Sequence, residues 1–146
     1  MQDLIERLEK ATGLEPELNR DIALAVIPDA LPREQDCWIS VPSEMERDQR
    51  QIVLPHPYTL SLDSAMTLVP KGMAPVIAMT GVWADHTPWA GQPIWEAAFP
   101  DRGTEDFEEY TIAEIGDFEI CGQGPTPAIA LCIAALKARA AQIGRQ

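Results

Sequence analysis

The 146-residue sequence predicts an α+β fold, a small and mostly antiparallel sheet packed with helices. Three observations point there. Apolar residues recur at helical spacing near both ends and once in the middle, the stretches between alternate with a period of two, and short connections join the consecutive strands. The order is helix, helix, strands, helix, strands, helix, which is not the strict alternation of a parallel βαβ sheet.

The first helix is read over Asp3 to Ala11, with Leu4, Leu8 and Ala11 on one face and Gly13 as its stop. Pro16 opens a second, with Leu18, Ile22, Ala25 and Val26 as its stripe and Pro28 as its end. Neither would be stable alone in water. Prolines 28, 32, 42, 55 and 57 break the segment 28–57, where Cys37–Val41 and Gln51–Leu54 read as short strands. A stretch this irregular inside one domain is either a functional loop or a tolerated insertion.

Ser61 caps a third helix carrying Leu62, Ala65, Met66 and Val69, and Pro70 stops it. Val76 to Trp83 and Gln92 to Phe99 read as strands, joined through Asp85–Gly91. Tyr110–Ile115 is ambiguous between strand and helix, and Phe118–Cys121 reads as a strand running into a Gly122-Gln123-Gly124-Pro125 turn. The last helix organises the rest. Thr126 caps it, Pro127 occupies its first turn, and no charge appears before Lys137. A helix apolar all round must be covered on more than one side. Burying Ile129, Leu131, Ile133 and Leu136 is worth roughly 6–12 kcal/mol before chain entropy is subtracted.

The length is that of a single domain. No run approaches a membrane span, and the acidic start Met1-Gln2-Asp3-Leu4-Ile5-Glu6 does not read as a signal peptide, so a cytoplasmic protein is expected. Cys37, Cys121 and Cys132 are odd in number and widely spaced, which reads as reduced thiols. A net charge of −12 argues against direct nucleic-acid or anionic-membrane binding. Residues 51–136 hold eleven of the acidic residues and only two basic ones, Lys71 and Arg102.

No catalytic, metal or cofactor motif stands out, so no cofactor is expected. Gly122–Thr126 lacks both the third glycine of a dinucleotide fingerprint and the lysine of a P-loop, and a turn plus a helix cap explains it. His56 and His86 sit beside prolines, without the spacing that would join them to Asp63, Asp85 or Cys37 as metal ligands. Cys121 lacks a nucleophile signature. Binding is the better reading. Residues 101–110 interleave five carboxylates with two aromatics, and Glu105, Asp106, Phe107, Glu108, Glu109 and Tyr110 form a candidate docking surface for a basic protein groove. Trp89, in a loop between Pro88 and Ala90, is the tryptophan best placed for a partner contact, whereas Trp83 and Trp95 read as strand core. An alternative is a small-molecule binder sequestering a nucleotide signal, with Arg33, Arg47 and Arg50 as donors and Thr126 at a helix start.

Three blocks, Asp3–Gly13, Tyr58–Pro70 and Thr126–Arg139, resemble the small phage and prophage proteins grouped as the phage ABA-sandwich domain. The resemblance covers about half the chain and consists mostly of packing pattern. It implies helices on both faces of the sheet and a phage or prophage setting, and it brings no catalytic residues. The expectation is a non-enzymatic accessory protein that inhibits a host protein, such as an antiviral defence component with a basic nucleic-acid-binding surface.

Overall fold

Among the described residues, proline and glycine positions separate ten elements. The computed structural model describes residues 1–11, 15–33, 36–46, 48–99 and 120–144. Within them lie α1 (Gln2–Glu9), α2 (Pro16–Val26), β1 (Leu31–Pro32), β2 (Ile39–Pro42), β3 (Arg50–Val53), α3 (Leu62–Met66), β4 (Val76–Val82), β5 (Pro93–Ala98), β6 (Cys121–Gly124) and α4 (Pro127–Gly144). The fold is α+β with antiparallel pairing throughout the described strands.

The strands form two three-stranded sheets, β1-β2-β3 and β4-β5-β6, rather than one. Between β3 and β4 the chain passes through Pro55, Pro57 and α3, and proline cannot donate to a continuing ladder. In the first sheet Ile39 and Val41 of β2 face the core, while Leu31 and Ile52 sit on the opposite face and are half exposed. In the second, β5 runs centrally, and a bulge at Thr80 shifts the register between Met79 and Gly81.

Helix α4 lies where the sequence places the core: Ala128 to Leu136 are all buried. It packs against α1, α3, β5 and β6, with β4 touching it at the margin, so it is covered on several sides. Thr126 caps it, its Oγ1 accepting from the Ile129 N–H at 3.2 Å. Glycines 122 and 124 are part of β6 and not the turn that their composition suggests. A Cβ on Gly122 would sit 2.7 Å from the Ala130 carbonyl oxygen, and one on Gly124 would sit 2.8 Å from Ile129 Cγ2. Both positions need glycine because the strand backbone lies directly against the helix.

Two helical stripes are rotated from their sequence reading. In α2 the inward residues are Leu18, Asn19, Ile22 and Ala23, and Ala25 is exposed. The buried Asn19 Oδ1 accepts from the Thr59 N–H at 3.0 Å, and Thr59 Oγ1 accepts from the Glu15 N–H at 3.2 Å. That polar pair draws Asn19 inward. In the short α3, Leu62 and Met66 are partly exposed while Ala65 and the following Leu68 are buried. The Leu68 carbonyl accepts from Arg139 Nε at 2.6 Å, which ties the end of α3 to α4. An Arg7–Asp21 ion pair at 2.7 Å joins α1 to α2.

Candidate functional site

The β4–β5 connection carries two of the four tryptophans, Trp83 and Trp89. The Trp83 N–H donates to the Gln92 carbonyl at 2.9 Å, which closes the loop, and Gly91 supplies the left-handed residue (φ 81°) that returns the chain to β5. Within the loop the Thr87 N–H and hydroxyl both reach the Ala84 carbonyl, at 3.1 and 2.8 Å. This tight backbone brings Trp89 back onto Trp83. Their ring centroids are 4.7 Å apart at an interplanar angle of 51°, a tilted aromatic contact.

Both tryptophans are half buried, and each indole N–H is shielded from solvent with no acceptor among the described residues. A buried donor left unpaired costs about 1–3 kcal/mol. The pair is therefore less satisfied alone than with an acceptor in place. Beside it lies a cleft of about 410 Å³, lined by the two indoles, Glu9 at the end of α1, Cys121 to Gln123 of β6, and Ile133 and Lys137 of α4. That volume is within the usual range for binding pockets. The Lys137 ammonium is held by the Cys121 carbonyl at 3.0 Å, and Glu9 is exposed. Gln123 is oriented by its amide, which donates to Glu96 Oε1, an oxygen that also accepts from Thr80 Oγ1 at 3.4 Å. Glu96 is buried, and its Oε2 has no partner among the described residues.

The structure brings Trp89 together with Trp83, and this assembles Glu9, Gln123 and Lys137 beside them. Trp83 stands just beyond β4 as a wall of the cleft, and the sequence reading of it as strand core missed that role. Trp95 does pack against the core. Of the alternative ligand residues Arg33, Arg47, Arg50 and Thr126, the three described ones each have a neighbour of their own. Arg50 is committed to the Ser40 hydroxyl and carbonyl, both at 2.8 Å, and to the Asp29 carbonyl at 2.7 Å. Arg33 lies 3.8 Å from Asp36, Thr126 serves as a helix cap, and Arg47 is outside the described residues. Glu105, Asp106, Phe107, Glu108, Glu109 and Tyr110 also lie outside them.

Two further depressions flank Cys37, one of about 250 Å³ between Asn19 and the Leu54–Pro57 segment, the other against Arg7, Glu15 and Glu17. Among the described residues no group of three or more His, Cys, Asp or Glu side chains is arranged to hold a metal ion, and no helix is long and apolar enough to cross a membrane. Among the described residues two groups have displaced proton affinities, and both are internal. Burial pushes the Cys132 thiol up to about 12. Burial also raises Tyr58, helped by Cys132 and opposed by Arg139. The Cys132 thiol donates to the Tyr58 carbonyl at 3.2 Å, which marks it as a packing residue and not a nucleophile. The chain matches no family model, no curated protein and no solved structure.

Proposed function

We propose that this chain is a non-enzymatic accessory protein of phage or prophage origin that binds and inhibits a protein of its bacterial host, in the cytoplasm. A component of antiviral defence with a basic surface is the kind of target its charge favours. The observation that carries the reading is the Trp83–Trp89 pair: two large indoles at a short loop, their N–H groups without an acceptor among the described residues, beside an open cleft. Such groups serve recognition better than catalysis, because they offer contact area and hydrogen-bond donors but no acid, base or nucleophile. The net charge of −12 supplies long-range attraction to a basic partner, and the helical blocks that resemble phage ABA-sandwich proteins supply the biological setting.

The test is affinity capture from the host at several salt concentrations, comparing the wild type with Trp83→Ala, Trp89→Ala and a variant with Glu105, Asp106, Glu108 and Glu109 reversed to lysine. A partner that is retained at low salt and lost with either tryptophan supports the reading. Equal recovery by all four proteins overturns it. The volume of the cleft favours one second reading, in which a small molecule such as a nucleotide signal is held there rather than at Arg33, Arg47 and Arg50. A rise in melting temperature with nucleotides, unaffected by host protein, would identify that case.

A further inference from the structure

Resting on the protein-binding reading, we propose that the cleft beside Trp83 and Trp89 is a receptor for an arginine side chain projecting from the basic partner. Three features converge on that occupant. Two tryptophans line the cleft, and indole is the best aromatic surface for a guanidinium. Glu9 stands at the cleft as an exposed carboxylate with no ion pair among the described residues, so it is free to take the charge. The whole chain carries −12, which draws cations in and repels phosphates and carboxylates.

Lys137 is the one feature of opposite sense. Its ammonium is spent on the Cys121 carbonyl, 3.0 Å away, which holds it at the β6 side of the cleft. This residue makes the proposal sharp, because removing its charge has opposite consequences for the two kinds of occupant. A cation gains from the loss and an anion is weakened by it.

The probe is the peptide acetyl-Gly-Arg-Gly-amide, added to the full chain and followed through the indole N–H signals of the four tryptophans in a two-dimensional NMR spectrum. Peptides with citrulline or glutamate replacing the arginine, together with adenosine, serve as comparators. The Trp83 and Trp89 signals are expected to shift with the arginine peptide, while Trp38 and Trp95 stay in place. Citrulline should bind more weakly. Glu9→Gln should weaken the arginine peptide by about 3- to 30-fold, the range of a partly desolvated cation contact, and Lys137→Met should tighten it.

Equal shifts with citrulline, a preference for glutamate or adenosine, or full affinity in Glu9→Gln would each overturn the assignment. So would a silent titration. Should the peptide fail while Trp83→Ala and Trp89→Ala still lose the host partner, the arginine assignment falls and protein binding stands. If both variants keep the partner at wild-type affinity, the protein-binding reading itself falls, whatever the peptide does.

Discussion

In the first sheet the core is met by side chains: Ile39 and Val41 point inward from β2, and alternate positions carry Leu31 and Ile52 outward. In the second sheet the strand against α4 brings none. Gly122 and Gly124 let the β6 backbone lie on Ala130 itself. The first arrangement tolerates change on one face and resists it on the other. The second leaves no free volume, since a Cβ on Gly122 would meet the Ala130 carbonyl oxygen and the Ala134 nitrogen, backbone atoms with no rotamer to change.

The largest effect should come where that second contact is filled. Gly122→Val is expected to leave no stable native state, and Gly122→Ala to lose about 1–3 kcal/mol or more by urea denaturation. Gly91→Ala is the control, because its Cβ meets nothing within 4 Å and only the positive φ resists it. Next comes the inward face of the first sheet, where Ile39→Ala should cost about 2–4 kcal/mol by the same measurement. Asn19→Ala, which leaves the buried Thr59 N–H without its acceptor, should cost about 1–3 kcal/mol.

The thiols sharpen the same contrast. Cys132, inside α4, should stay inert to a disulfide reagent until the protein unfolds, while the half-buried Cys37 beside the first sheet reacts in the native state. The sign of the pH effect follows from the raised affinity. The unfolded thiol ionises near its ordinary value of 9.0 and the folded one only near 12, so above pH 9 the unfolded chain binds fewer protons. Stability is full below pH 9 and declines between there and 12. The loss should be about 1 kcal/mol from pH 9 to pH 10, and it should disappear in Cys132→Ala. The smallest change is expected on the outer face of the first sheet, where Ile52→Thr should stay within about 0.5 kcal/mol.

These two kinds of contact also explain what could be read in advance. Alternation and helical spacing are local signals, so α1, α3, α4, β2, β3, β4 and β5 were all legible to within a few residues, as were the caps at Ser61 and Thr126. Gly122-Gln123-Gly124 was misread because glycine usually punctuates a turn, and close approach of another backbone leaves no mark of its own in sequence. The two-residue β1 has too few positions to show any period. Trp89 could be singled out as a loop tryptophan. Its neighbours could not, since Glu9, Gln123 and Lys137 come from three distant elements and each has an ordinary local reason to be there. Arg50 looked like a free donor because the acceptor that occupies it, the Asp29 carbonyl, belongs to a residue held at φ 61° far away in sequence.

The packing of α1 on α4 has a consequence for how the chain comes to be made. Leu4, Ile5 and Leu8 of α1 leave the ribosome well before α4, the helix they rest on, which is encoded more than a hundred residues later. Until α4 is made this apolar face has only α2 to pack against, and closing so long a loop makes the final docking slow. Nascent chains halted before α4 should therefore be the aggregation-prone species, and a circular permutant placing α1 directly after α4 should fold faster than the natural order.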